Sequence, residues 1–237
     1  LDYAATTPVD AEVMSAAMPY FGGAFHNPAS SHIMGQMAKM SVTRARSRCA
    51  AAINADRDEI YFTSGGTEAI NWAIKCAPIK AGSRIVVSAI EHDAVTACAE
   101  RMKERGFKVD AVLPNALGTV TPEALENVMG DDVSLVCVMT VNNITGAIQP
   151  VKELAAVAHK YGALFFTDAV QAVNTVRIDV KDSGVDMLCV SGHKFYSLKG
   201  AGFLYVRSGV NIMPLLDGGS QEGGLRAGTL DVPAAVA

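Results

Sequence analysis

The chain has 237 residues, half of them hydrophobic and 19% charged, which provides for one sizeable core and argues against general disorder. Its formal net charge of −4, with no Lys/Arg-dense stretch, speaks against a nucleic-acid binder. No apolar run approaches the roughly 18 residues of a membrane span, and no signal-peptide pattern opens the chain.

From the N-terminus, Ser31 to Asn54 reads as a long helix with Arg44, Arg46 and Arg48 along its solvated face. A strand at Glu59–Phe62 runs into Thr63-Ser64-Gly65-Gly66-Thr67-Glu68 and then a helix. The next strand, Arg84–Ser88, precedes a helical segment from Glu91 to Arg105. There Ala94, Val95, Cys98 and Met102 form an apolar stripe, and Gly106 suits a C-cap. Strands at Lys108–Leu113 and Ser134–Thr140 follow, the second leading into Val141-Asn142-Asn143. After Pro150, the spacing of Val151, Leu154, Ala155 and Ala158 predicts a helix. Three more strands are expected at Ala163–Thr167, Asp186–Ser191 and Gly202–Val206, and Gly218–Gly228 is rich in glycine. Runs such as Val136-Cys137-Val138-Met139 are apolar throughout, as in a strand covered on both faces. Alternating strands and helices predict an α/β fold: a mainly parallel seven-stranded sheet flanked by helices. The cysteines at 49, 76, 98, 137 and 189 lack CxxC spacing and are odd in number, which argues against disulfides and a metal site and fits a reducing compartment; Cys137 and Cys189, inside apolar runs, read as small buried hydrophobes.

In open α/β sheets, ligands bind beyond the carboxyl ends of the strands. Four strands here deliver polar residues to such an edge. The Gly65-Gly66-Thr67 turn allows close backbone approach to an anion at a helix start, or is an ordinary capped turn; no Gly-Lys-Ser/Thr follows, so it is not a Walker A loop. Asp168, at a strand end, can hold a pyridine nitrogen protonated or cap a helix. Lys194 follows Ser191-Gly192-His193 and is either a Schiff-base amine or a surface lysine. His92 can stack on an aromatic cofactor and move protons, or be structural; Ser191 and His193 can donate to phosphate. No GxGxxG follows the first strand, which sets aside a dinucleotide-binding protein. Taken together, a lysine amine with an aspartate partner for a ring nitrogen is the binding logic of pyridoxal 5′-phosphate.

The motifs resemble those of the cysteine desulfurase family, the NifS/IscS type of class V aminotransferase-fold enzymes. The resemblance is carried by Leu1-Asp2-Tyr3-Ala4-Ala5-Thr6-Thr7-Pro8, Asn27-Pro28-Ala29-Ser30, Thr63–Glu68, Glu91-His92, Asn142-Asn143, Thr167-Asp168-Ala169-Val170-Gln171, Ser191–Lys194 and Gln221–Thr229, in the family's order and spacing. It implies the large domain of a fold type I pyridoxal-phosphate enzyme over residues 1–237, with residues about 1–14 packing against a smaller C-terminal domain absent from this chain. It implies that Lys194 binds the cofactor and removes the substrate's Cα proton. Asp168 pairs with the pyridine nitrogen, Gln171 with the phenolic oxygen, and His92 stacks on the ring. Gly66, Thr67, Ser191 and His193 hold the phosphate, and Asn143 lies near the ring oxygen and the substrate carboxylate. Thr229 is expected to reach the phosphate site of the other subunit of a homodimer.

The implied reaction takes sulfur from L-cysteine, leaving L-alanine and a persulfide on an enzyme cysteine, for an acceptor or scaffold protein in iron–sulfur cluster or thio-cofactor assembly in the cytoplasm. The family's nucleophilic cysteine and its substrate-carboxylate arginine are expected beyond residue 237, so the chain reads as truncated. Ile144 stands where the family usually has Glu, Ser197-Leu198 where it has Gly-Pro, and Ala227 where Ser is common. Ile144 and Ser197-Leu198 are expected to alter the walls of the site. Alternative readings are a selenocysteine lyase or another class V enzyme, and a non-catalytic sulfur-transfer partner protein.

Overall fold

The apolar runs become seven strands: β1 Ile60–Thr63, β2 Arg84–Ser88, β3 Lys108–Val112, β4 Val133–Cys137, β5 Leu164–Asp168, β6 Met187–Ser191 and β7 Gly202–Val206. In the computed structural model, which describes residues 2–237, they form a single sheet in the order β1-β7-β6-β5-β4-β2-β3. Leu1, the first residue of the opening motif, lies outside the described residues. Strands β3, β2, β4, β5 and β6 are parallel, while β7 runs against both of its neighbours. Being antiparallel to the same strand, β1 and β6 point the same way. The ends of β1, β2, β4, β5 and β6 therefore all open on one edge of the sheet. The expected strand Ser134–Thr140 keeps its bonds to β5 as far as Thr140, whose N–H donates to the Asp168 carbonyl at 2.8 Å, but its ladder with β2 ends at Cys137. The Met139 N–H is taken by the Glu91 side chain at 2.7 Å, where β2 has already finished.

Eight α-helices accompany the strands among the described residues: α1 Ala11–Ala17, α2 Ile33–Ala52, α3 Gly66–Lys75, α4 Asp93–Glu104, α5 Pro122–Glu126, α6 Val151–Lys160, α7 Val180–Ser183 and α8 Val232–Val236. The pleat sends alternate strand residues to opposite faces. Ile85, Leu135 and Phe166 pack with Ile70 and Trp72 of α3 and Val95 and Met102 of α4. Val86, Val136 and Phe165 pack on the other side with Val42 of α2, Leu154 of α6 and Val232 of α8. Both faces are covered, which is why the central strands read as unbroken apolar runs. No described helix is long and apolar enough to cross a membrane.

One expectation fails within α2. Arg44 and Arg48 are exposed, but Arg46 is not part of a solvated face. Its guanidinium forms a double ion pair with Glu222 and lies 4.8 Å from the centre of the Phe62 ring. Only 15% of the Arg46 side chain and 1% of the Glu222 side chain are exposed. Helical spacing could not separate Arg46 from its neighbours, because its partner lies far along the chain. Glu222 sits at φ 50° and ψ 41°, a left-handed conformation uncommon for a side-chain-bearing residue. There its carboxylate also accepts the N–H of Phe62 at 2.8 Å, a donor that edge strand β1 leaves free.

The N-terminal segment crosses the sheet edge and is tied to the loop after β6. Thr7 N–H donates to the His193 carbonyl at 2.9 Å, Tyr196 N–H donates to Thr7 Oγ1 at 2.7 Å, and Asp10 N–H donates to the Tyr196 carbonyl at 2.9 Å. Asp10 then caps α1 through Glu12 N–H at 2.7 Å.

Candidate active site

The aligned strand ends enclose a cleft of about 720 Å³. Five elements and the N-terminal segment build it. Gly66 and Thr67 come from the start of α3, His92 from the start of α4, and Asn143 from the loop beyond β4. Asp168 and Gln171 come from the end of β5, and Ser191, His193 and Lys194 from the turn after β6. Thr229 is the exception: it is exposed and lies outside this cleft.

Asp168 forms the floor. Its Oδ1 accepts the Val170 N–H at 2.8 Å and the Cys189 thiol at 3.5 Å, so the carboxyl caps the local turn and still lines the cleft. Its Oδ2 has no hydrogen-bond partner among the described residues. Burial pushes the carboxyl above the usual aspartate range, against the Val170 N–H and the thiol, which favour the charged form. This is a buried acid short of a cation. Cys189, read from sequence as a small buried hydrophobe, is fully buried and also serves as a weak donor to this acid.

Lys194 is the only lysine lining the cleft among the described residues. Its amine donates to the carbonyls of Ala4 at 2.6 Å and Ala5 at 3.0 Å. Partial burial draws its pKa below the ordinary lysine range, opposed by the charges of Asp2 and Asp168. A larger share of neutral amine favours addition to a carbonyl. Gln171 Nε2 also donates to the Ala4 carbonyl, at 2.8 Å, so one carbonyl of the N-terminal segment gathers two cleft side chains.

His92 is the N-cap of α4, its Nδ1 accepting from Ala94 N–H at 3.0 Å. The structural and functional readings of this residue are therefore compatible. The cap makes Nε2 the protonated nitrogen of the neutral ring. Helix α3 begins at Gly65 without a side-chain cap. That leaves first-turn N–H groups and the positive end of the helix dipole available to an anion. The turn is packed tightly. A Cβ on Gly66 would come 2.9 Å from Val170 Cγ2, and one on Gly202 would come 2.6 Å from Gly65 Cα. Gly202→Ala in β7 therefore pushes backbone against backbone beneath the turn. An expected loss of about 1–3 kcal/mol, the usual cost of overpacking, is measurable by denaturant unfolding.

Ile144 lines the cleft and is 86% exposed, as expected for a wall residue. Ser197 and Leu198 do not line it, contrary to expectation. Ser197 is buried behind the turn, where a Cβ on Gly192 would come 2.9 Å from its Oγ. It therefore fits the space that a glycine leaves in the backbone and contributes no wall. Sequence reasoning also missed the roles of Asp2 and Met139 in lining the cleft. Asp2 belongs to the opening motif and Met139 to a predicted strand, but nothing in their own type signalled a site.

A doubly covered, mainly parallel sheet with a lysine and a buried aspartate meeting at its carboxyl edge defines the class, and the chain belongs to the aminotransferase class V family, whose profile matches residues 1–237. Within that family it is similar to the cysteine desulfurase IscS of Methanosarcina thermophila, 45% identical over 239 aligned residues that cover 100% of this chain and 59% of that protein. Among solved structures it is similar to a NifS-like protein, with a TM-score of 0.96, 37% identity and coverage of 99% of this chain and 66% of the other. It is also similar to a structure described as SspA in complex with cysteine, with a TM-score of 0.95, 36% identity and coverage of 99% and 69%. The chain thus spans well under two thirds of the length of the Methanosarcina relative.

Proposed function

We propose that residues 1–237 are the pyridoxal-phosphate-binding large domain of a cysteine desulfurase, with residues about 1–14 packing also against a smaller domain. The observation that carries this reading is the meeting of Lys194 and the cation-poor Asp168 in one cleft. The residues present suit the cofactor. A buried carboxyl without a cationic partner matches a pyridinium nitrogen. The glycine turn at an uncapped helix start matches a phosphate, and a partly buried amine matches an aldehyde.

When bound, pyridoxal phosphate supplies an electron sink for the substrate's Cα. The protein supplies the rest. Lys194 would hold the cofactor through its amine, and its Nζ would be the base for the substrate's Cα proton. Asp168 keeps the pyridine nitrogen protonated. Gln171 Nε2, which donates to the Ala4 carbonyl, would turn to the phenolic oxygen, and Asn143 would serve that oxygen and the substrate carboxylate. His92 would stack on the ring, and its Nε2, not used by the cap, would be available for proton transfer. Gly66, Thr67, Ser191 and His193 hold the phosphate. Burial and the nearby charges of Lys194 and Lys199 lower the His193 pKa. That favours its neutral ring, which can still donate a hydrogen bond to phosphate.

The substrate is L-cysteine, in line with the named relatives and with the cysteine-bound neighbour. Its sulfur passes to an enzyme thiol as a persulfide, leaving L-alanine, and then to an acceptor protein for iron–sulfur or thio-cofactor assembly in the cytoplasm. None of this chain's five cysteines lines the cleft, in keeping with the family resemblance, which implies a nucleophilic thiol beyond residue 237. Thr229, exposed outside its own cleft, is free to serve the phosphate site of a second copy in a homodimer.

The complete gene product, loaded with cofactor and given L-cysteine with a thiol reductant, is expected to release alanine and sulfide in equal amounts. Turnover of selenocysteine without turnover of cysteine would replace the substrate and keep the cofactor. Inertness toward both would remove the desulfurase reading.

A further inference from the structure

His92 and Asn143 stand on different loops, one after β2 and the other after β4. Nothing in strand pairing fixes the gap between them, because the β2–β4 ladder ends at Val87 and Cys137. Two adjacent residues cross that gap. From the β2 loop, Glu91 Oε1 accepts the Met139 N–H at 2.7 Å and the Ser88 hydroxyl. From the β4 loop, Asn142 Nδ2 donates to the Ile90 carbonyl at 2.9 Å. Each loop thus grips the other's backbone with the side chain just before its own cleft residue. Asn142 is 5% exposed and uses its Oδ1 to accept from Ile144 N–H at 3.0 Å, Thr145 N–H at 2.8 Å and the Thr145 hydroxyl at 3.0 Å. The polar groups of this side chain are thereby committed to holding the loop.

Glu91 is the less expected of the two. Its Oε2 is sealed from solvent and has no hydrogen-bond partner among the described residues. A buried carboxylate with an orphaned oxygen is costly, and burial pushes this carboxyl up to about 8, with the charge of Asp168 adding in the same direction. A neutral acid adds no second negative charge beside Asp168, and it still accepts two hydrogen bonds.

We propose that Glu91 and Asn142 are positioning residues that act as one reciprocal latch, setting the placement of His92 against Asn143 across the cleft. The inference rests on the cofactor reading above. Misplacing a reacting group by about 1 Å is enough to cost on the order of 100-fold in rate.

The test uses the complete, cofactor-loaded protein, with visible circular dichroism of the bound cofactor beside steady-state kinetics. Glu91→Ala and Asn142→Ala are each expected to change the dichroism of the visible band. Each should lower kcat by about 10- to 100-fold with KM for L-cysteine little changed. The double variant should be no worse than the poorer single one, because either change opens the same latch. Glu91→Gln keeps the acceptor without charge and is expected to restore both readouts. Additive losses, unchanged dichroism, or a glutamine variant as impaired as the alanine one would overturn the latch. If thermal melting shows that Glu91→Ala does not fold, Asn142→Ala and Glu91→Gln decide by the same criteria. A wild-type protein without a visible band would overturn the cofactor reading and the latch with it, whereas a normal band with additive variants overturns the latch alone.

Discussion

Replacing Lys194 with alanine is expected to abolish the visible absorption of the cofactor-loaded protein and to stop turnover. The side chain sits on the turn after β6, and no other lysine among the described residues lines the cleft to take its place. Loss of its proton transfer alone is expected to cost about 10²–10⁴-fold, and loss of the covalent attachment adds to that. The fold should survive. The variant gives up two hydrogen bonds, to the Ala4 and Ala5 carbonyls, each contributing roughly 0.5–1.5 kcal/mol, and it breaks no direct ion pair. Borohydride reduction followed by peptide mass spectrometry gives the clearest reading. Wild-type protein should carry the reduced cofactor on residue 194 and the variant on none. A variant that is still labelled would show that another amine holds the cofactor.

Arg46→Ala should produce the largest loss of stability. Removing the guanidinium strands the Glu222 carboxylate, 1% exposed, with the Phe62 N–H as its remaining partner. Breaking a buried ion pair from one side costs about 3–5 kcal/mol, because the surviving charge is left desolvated. For a chain of this length that corresponds to a fall in Tm of roughly 6–20 °C. Arg46→Met with Glu222→Gln, which removes both charges, should recover much of the loss. The exposed pair Arg101 and Glu104 on α4 provides the control, since Arg101→Ala is expected to stay within about 0.5 kcal/mol. Equal effects at the two arginines, measured by urea unfolding, would contradict the buried-pair account.

The contrast between these arginines shows what the sequence conveys about this fold. Strand runs such as Val136-Cys137-Val138-Met139 announce themselves, because burial on both faces demands apolar side chains throughout. Arg46 does not. Its burial depends on Glu222, and no local pattern links the two. Glu91 is similar: beside His92 it marks a motif, but only the neighbouring Met139 backbone explains its carboxyl. The short helices α1, α5 and α8 lack the several turns of periodicity that made α2, α4 and α6 legible; they rest on the caps Asp10, Thr121 and Asp231. Asp168 and Lys194 were conspicuous because each follows an apolar strand, where a charged residue has few reasons to stand. The N-terminal carbonyls that receive Lys194 and Gln171 belong to the backbone, which a sequence pattern does not reveal.

The pairing of β1 with β7 has a consequence for how the chain acquires its shape. Ile60 lies beside Tyr205, and Thr7 is held by His193. Segments that precede β2 must therefore wait for partners that follow β5, while β2 through β6 can assemble from nearer neighbours. Contacts so distant in sequence carry a loop-closure penalty that slows folding. The parallel block is expected to form first, with the sheet edge and the N-terminal strap closing over it afterwards. On the ribosome, the apolar strand β1 would remain unpaired until β7 had emerged, an interval in which a chaperone could hold it.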